Sequence, residues 1–186
     1  ENGTHPEYQL APEGVSEAQS TGQSFHNLLE ENSIPHDIVR ICYSSFSRTT
    51  HTTQVVASIL NIPLEGAQCK VMENLRERFF GPSYELMSHD KYHDIWTLDE
   101  KDPLMRPAEG RESVDDVACR LVEAMETMES QFQGCVYKYA FSIPALCTIL
   151  VVSHGDTLQI LLTILSAAKL NVGSSYTDLS SRIQAV

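Results

Sequence analysis

The chain has 186 residues and a mass of 20.8 kDa, a size typical of one domain. Hydrophobic residues make up 42% and charged residues 20%, which excludes collagen-like and disordered classes and provides enough apolar side chains for a core. There are 25 acidic residues against 13 basic ones, a net charge of −12. Because this charge repels nucleic-acid phosphates and anionic lipids, we expect neither nucleic acid nor a membrane as a partner.

Five cysteines occur without a C-x-x-C pair, and an odd count of this kind predicts reduced thiols rather than a disulfide framework or a zinc site. The longest apolar run, residues 145–152, is too short to span a bilayer. No signal-like N-terminus is present. We therefore expect a cytoplasmic protein, although a transit peptide removed before Glu1 would leave the same sequence.

The first half of the chain contains a helix, a strand and a second helix in its apolar pattern. Pro12 suits a first helical turn, and apolar residues recur at three- and four-residue steps until Asn32. The β-branched run 38–43 predicts a mostly buried strand. A second amphipathic helix is predicted over 47–60.

The second half begins with a short strand at 69–72 and continues into a polar stretch, 82–112, which we interpret as an insertion or excursion rather than core. A capping-box pattern introduces an amphipathic helix over 113–130. The clearest strand is 148–153, and an apolar helix follows over 157–170.

Strands alternate with helices, and the strands are continuous hydrophobic runs. This pattern predicts the α/β class, as a three-layer α/β/α sandwich around a mainly parallel sheet, in a single domain over 1–186. A last strand is possible at 182–186.

Polar groups follow two of the predicted strands where ligands bind in such folds, outside the carboxyl ends of the strands. Arg48 follows strand 38–43, and His154 with Gly155 follows strand 148–153; both positions are helix N-termini, which favour anions. The guanidinium fork matches phosphate oxygens, and Gly155 permits close backbone approach. These residues predict a phosphate pocket, although Arg48 alone could pair with an acid and His154 alone could be structural.

Four ordered segments carry a family resemblance. Residues 44–52 resemble the S-S-x-x-R-x-x-x-T segment of the histidine phosphatase superfamily, the phosphoglycerate mutase-like proteins. Residues 152–156 resemble its second histidine motif, and residues 75–81 are similar to its L-x-E-R-x-x-G segment. Residues 10–18 are similar to its L-T-x-x-G-x-x-Q-A helix start, with Ala and Glu substituted. The family also has the sandwich fold expected above.

The resemblance implies a mechanism in which the histidine of an R-H-G motif attacks phosphorus and forms a phosphohistidine, which water then hydrolyses. By the same resemblance Arg48 is the second pocket arginine, His154 is the second histidine and Glu77 is the acid that protonates the leaving oxygen. Arg78 is then a substrate contact. The family needs neither a metal nor a cofactor for this reaction.

The sequence departs from the family at the nucleophile, because no R-H-G occurs in the 186 residues. His5 lacks the preceding arginine and strand. We expect the sequence to be a piece of a longer protein, beginning downstream of the missing strand, so that this chain alone is inactive. The alternative is a natural variant without the nucleophile, a non-catalytic pseudoenzyme that binds a phosphoryl ligand.

The activity expected from this resemblance is hydrolysis of a small phosphorylated substrate. The alternative is a mutase, but mutases of the family carry paired arginines in the excursion, and residues 91–96 contain none. The sequence leaves the oligomeric state open. His89 and His93 have the i, i+4 spacing of metal ligands, but no third ligand accompanies them, so we expect no metal site.

Overall fold

The computed structural model describes residues 2–84, 87, 93–105, 110–132 and 147–169. The chain divides into two compact units. The first unit contains residues 1–76 and 125–153, and the second contains residues 77–124 and 154–186.

The first unit is built around a parallel sheet. Its helices and strands are α1 (Pro12–Glu31), β1 (Val39–Tyr43), α2 (Ser47–Ile59), β2 (Cys69–Val71) and β3 (Thr148–Val152). The strand order is β2-β1-β3, and β1 pairs in parallel with both neighbours. At the carboxyl end of the sheet Tyr43 stands opposite Val152. The strand that precedes Arg48 and the strand that precedes His154 are therefore direct neighbours. The predicted α/β class with a parallel sheet is confirmed.

The packing of the first unit's core explains why the sequence of β1 is a nearly continuous run of apolar residues. Val39, Ile41 and Cys42 are all fully buried, so both faces of this central strand are covered. Helices α1 and α2 pack together where Gly22 removes a side chain: a Cβ there would lie 2.7 Å from Ile59 Cδ1. The remaining buried members of this core come from both helices and the segment after α2: Leu29, Val56, Ala57, Leu60 and Ile62.

The second unit contains α3 (His93–Lys101), the first part of α4 (Val114–Gln131) and α5 (Gly155–Lys169). The expected capping box is confirmed. The Ser113 amide donates to Asp116 Oδ2 at 2.9 Å, and the Asp116 amide donates back to Ser113 Oγ at 3.0 Å. These reciprocal bonds satisfy two donors at the start of α4 and set its first residue.

Helix α3 lies within residues 82–112, the stretch interpreted above as an excursion. The helix buries Ile95 and, one turn later, Asp99. Because a carboxylate occupies the second inward position, the apolar pattern of this short helix is reduced to Ile95, Trp96 and Leu98. The possible strand at 182–186 lies outside the described residues.

The structure also bears on the cysteines and on membrane-spanning segments. Cys42, Cys69 and Cys119 are free thiols, but Cys147 is disulfide-bonded, so the expectation that every cysteine is reduced is wrong at this position. Among the described helices, none combines the length and apolarity that crossing a membrane requires.

Candidate functional site

In the first unit, the turn after β1 is fixed at the carboxyl end of the sheet. The Ser44 amide donates to the Val152 carbonyl at 3.0 Å, which extends the β1–β3 pairing by one bond. The Thr49 hydroxyl lies 2.9 Å from the Ser44 carbonyl and 2.8 Å from the Phe46 carbonyl. Since Ser44 and Thr49 are buried, these contacts hold the turn and the start of α2 in one conformation.

Arg48 lies in the first turn of α2, as predicted from the sequence. Its side chain is half-buried, and its guanidinium carbon lies 5.1 Å from the centroid of the Phe46 ring. The first turn of α2 contains no acidic residue, so no carboxylate of that turn offsets the positive end of the helix dipole. A carboxylate from elsewhere in the unit, Glu73, accepts a hydrogen bond from Ser45 at 2.7 Å.

In the second unit, the structure brings His154 and Glu77 together. Nδ1 of His154 lies 3.9 Å from Glu77 Oε2, and the two side chains are 2% and 30% exposed. The His154 carbonyl accepts the Leu158 amide at 2.8 Å, which places His154 at the start of α5. The second histidine of the resemblance is thus buried beside the expected acid.

Gly155 is the first residue of α5. Among the described residues, and apart from its chain neighbours and the backbone of its own helix, no atom lies within 4 Å of a Cβ built at this position. Space therefore remains beside the backbone at this helix N-terminus, as the predicted close approach of a ligand requires.

Arg78 is held by the second unit through all three guanidinium nitrogens. Nη1 and Nη2 donate to Asp99 Oδ2 and Oδ1 at 2.6 and 2.8 Å, and Nε donates to the Glu112 carbonyl at 2.9 Å. The Arg78 side chain is 1% exposed. Burial by itself would lower the pKa of Arg78, but the hydrogen bond to Asp99 and the charges of Asp156 and Asp99 raise it above its ordinary value.

The bonds that already hold Arg78 limit how it could make the substrate contact expected from the resemblance. The guanidinium has five N–H groups and these bonds use three, so a phosphoryl oxygen would bind through the second N–H of Nη1 or Nη2 unless an existing bond were exchanged. Sequence analysis did not identify Asp99 as its partner, because a single aspartate in a polar stretch carries no distinguishing signal.

Two other carboxylates near this network differ in how they are bound. Oδ2 of Asp156 lies 3.6 Å from Arg78 Nη1 and makes no hydrogen bond with the described residues. Burial raises the pKa of Asp156 despite the nearby guanidinium. Glu112 is fixed instead: its carboxylate accepts from Arg120 Nε at 3.0 Å and from the Phe79 amide at 2.9 Å.

Two other histidines singled out in the sequence, His5 and His93, lie among the described residues. His5 is exposed, and its Nδ1 lies 3.5 Å from Glu7 Oε1. His93 begins α3 with an exposed side chain, and His89 lies outside the described residues.

Comparisons with known proteins agree with the motifs. A model of the histidine phosphatase superfamily (branch 1) matches residues 2–179. Among curated protein sequences no significant relative is found.

Several solved structures share the fold. A mycobacterial glucosyl-3-phosphoglycerate phosphatase in complex with inorganic phosphate is 19% identical, with a TM-score of 0.65 over 93% of this chain and 73% of that one. A structure described as mycobacterial hydrolase 1 is 18% identical, with a TM-score of 0.63 over 93% and 72%. A putative alpha-ribazole-5'-P phosphatase from Escherichia coli is 21% identical, with a TM-score of 0.54 over 88% and 71%. With the family match over nearly the whole chain, these likenesses lead to one conclusion: the chain belongs to branch 1 of the histidine phosphatase superfamily.

Proposed function

We propose that the protein is a phosphatase that hydrolyses a small phosphorylated substrate, with Arg48 and His154 holding the phosphoryl group. The observation that carries the proposal is the match of the family model to residues 2–179, a range that contains the motifs of Arg48 and His154. Strands β1 and β3 are direct neighbours, and each is followed by a basic residue of the family's motifs. Several structural neighbours are named phosphatases, and one is described in complex with inorganic phosphate.

The proposed roles follow from charge and position. In phosphoryl transfer, catalysis consists mainly of stabilising the charge on the equatorial oxygens. Arg48 supplies a permanent positive charge at the start of α2, and Gly155 is the first residue of α5. Glu77, partly exposed beside His154, is the group we propose to protonate the leaving oxygen.

The covalent step in this proposal is attack on phosphorus by an R-H-G histidine, giving a phosphohistidine and releasing the alcohol, followed by hydrolysis to free phosphate. Since the 186 residues contain no R-H-G, the groups described here would bind and stabilise but not attack. The assays therefore use the complete gene product, with the 186-residue chain as the control expected to lack turnover. A complete gene product without R-H-G that binds phosphate but hydrolyses nothing would instead be the phosphoryl-binding pseudoenzyme.

The alternative activity within the class is a mutase. Release of inorganic phosphate from a panel of phosphomonoesters and interconversion of 3-phosphoglycerate with its 2-isomer distinguish the two. We expect phosphate release; isomer formation without phosphate release would overturn the choice.

The role of Glu77 has its own test. Glu77→Gln should slow hydrolysis of alkyl phosphates strongly and of nitrophenyl phosphate little, because nitrophenolate leaves without a proton. An equal loss on both substrates would refute the assignment and direct attention to Asp156, whose pKa is raised by burial. Glu112 is a poorer second candidate because both its oxygens are bound.

The partners and location belong to the same proposal. A net charge of −12 supports a small substrate in a locally positive pocket rather than nucleic acid or a membrane surface. The three free thiols support a reducing, cytoplasmic location, whereas the disulfide at Cys147 points the other way. Fractionation of cells expressing the complete gene product with a C-terminal fluorescent fusion tests the location.

A further inference from the structure

Three side chains with metal-ligand chemistry meet at the opposite end of β1 from Arg48. His26 and Glu30 are one turn apart on α1, and His36 begins the short 3-10 helix that precedes β1. One ligand atom from each of the three residues lies within 4.8 Å of the others. All three residues belong to the first unit, and none takes part in the proposed phosphatase chemistry.

The orientation of His36 suits a metal ligand. Its Nδ1 lies 3.3 Å from the Leu60 carbonyl, and since a carbonyl only accepts, this nitrogen carries the proton. The lone pair is then on Nε2, which lies 3.6 Å from Glu30 Oε1. The backbone of His36 is also anchored, because Gln68 Nε2 donates to its carbonyl at 2.8 Å. A carbonyl that fixes the far nitrogen is the usual support of a ligating histidine.

Two ring nitrogens in this cluster have no hydrogen-bond partner within the part of the chain that the structure describes. They are His26 Nδ1 and His36 Nε2, and both atoms are buried. The imidazole rings of His26 and His36 lie 5.2 Å apart between centroids, so neither nitrogen is far from the other ring. Buried polar atoms normally have a partner, and a bound cation would supply one to both lone pairs.

We propose that His26, Glu30 and His36 bind a divalent cation of the zinc type. Two imidazoles and one carboxylate suit Zn²⁺ better than Mg²⁺ or Ca²⁺, which prefer all-oxygen ligands. Tetrahedral zinc places its ligand atoms about 3.3 Å apart, so the side chains must close slightly from the 4.8 Å limit. The Glu30 side chain, 67% exposed, has room to make that movement and leaves the fourth position open to water.

The position predicts what the cation does. It would join the last turns of α1 to the residues before β1, across a connection in which Ser33 has a positive φ of 52°. Five residues of extended strand, about 17 Å, separate this end of β1 from the end that leads to Arg48. The cation would therefore stabilise the fold and leave the phosphatase reaction unchanged. The expectation of no metal was based on His89 and His93 alone, and it did not consider these three residues.

Isothermal titration of the tag-free, chelator-treated protein with Zn²⁺ tests the proposal. We expect one Zn²⁺ per chain and a higher Tm in its presence. His36→Ala and Glu30→Gln should each weaken binding by at least about 10-fold. Because Glu30 is exposed, Glu30→Gln will fold even if His36→Ala does not. His5→Ala, which removes an exposed histidine beside Glu7, is the matched control and should bind Zn²⁺ as the parent does.

Three outcomes of the binding measurements would overturn the proposal. They are a dissociation constant weaker than about 1 mM for the parent, binding unchanged in Glu30→Gln and His36→Ala, or binding lost equally in His5→Ala. Persistence of the Zn²⁺-dependent rise in Tm in Glu30→Gln would also contradict it.

Discussion

Replacement of Arg78 by Met tests whether the second unit depends on a buried ion pair. Methionine keeps much of the volume but removes the guanidinium, so Asp99 loses two hydrogen bonds of 2.6 and 2.8 Å and its counter-charge. The Arg78 and Asp99 side chains are 1% and 11% exposed, so water does not compensate the carboxylate that remains. Leaving a buried charge without its partner costs about 3–5 kcal/mol, and we expect a destabilisation of that size.

The structure also predicts that the two partners are unequal. Asp99→Asn leaves Arg78 with a second carboxylate, since Asp156 Oδ2 lies 3.6 Å from Nη1. Its cost should be smaller, about 2 kcal/mol, the value of hydrogen bonds to a charged group.

Urea unfolding followed by circular dichroism measures both free energies. Arg40→Met is the matched control, because the hydrogen bonds of Arg40 go to the backbone carbonyls of Asp37 and Val39, and it should cost no more than about 1.5 kcal/mol. A loss below about 1 kcal/mol in Arg78→Met, or one equal to that of Arg40→Met, would refute the reasoning.

Three further predictions concern pH, glycine and thiol chemistry. Burial raises the pKa of Asp156, so at pH values between the ordinary and the raised pKa the folded protein keeps this proton and the unfolded chain has lost it. The contribution of Asp156 to folding stability is therefore complete below its ordinary pKa of 3.8 and is lost as pH rises through the raised pKa. Asp156→Asn should flatten this part of the Tm–pH profile, and an unchanged profile would contradict the assignment. Gly155→Ala should keep Tm but lower kcat/KM, whereas Gly22→Ala should lower Tm. Among the described residues, the methyl group added at position 22 would meet a packed side chain and the one added at position 155 would not. Equal losses of Tm in the two variants would contradict this. Burial raises the pKa of Cys42 to about 12, so iodoacetamide at pH 7.5 should modify the exposed Cys119 and spare Cys42, a result that mass spectrometry of tryptic peptides would confirm or refute.

The sequence predicts the elements whose residues act through hydrophobic burial. Strand β1, expected over 38–43, is found at Val39–Tyr43, and α1 begins at Pro12 as expected. Helix α3 was missed because its inward-facing Asp99 is satisfied by an arginine rather than by apolar packing. The periodicity of apolar residues in a sequence reveals buried hydrophobic side chains and does not reveal buried ion pairs.

The candidate site shows the same division. Positions that depend on chain order were predicted: Arg48 lies at the start of the helix that follows β1, and His154 directly precedes the helix that follows β3. Partners that depend on three-dimensional packing were not predicted. Arg78 binds Asp99, 21 residues further along the chain, and His36 joins His26 and Glu30 through a tight turn. No local pattern in the sequence specifies either contact.

The most direct test of the proposed function is kcat/KM of the complete gene product for its best phosphomonoester, compared with Arg48→Ala and His154→Ala. Each substitution should lower kcat/KM about 100-fold or more, close to 3 kcal/mol of transition-state stabilisation. Circular dichroism should show a folded protein in both cases. Arg40→Ala, at a half-buried position of β1 whose side chain bonds to backbone carbonyls, should leave the rate unchanged. Rates within about threefold of the parent for Arg48→Ala or His154→Ala would contradict the claim that these residues hold the phosphoryl group.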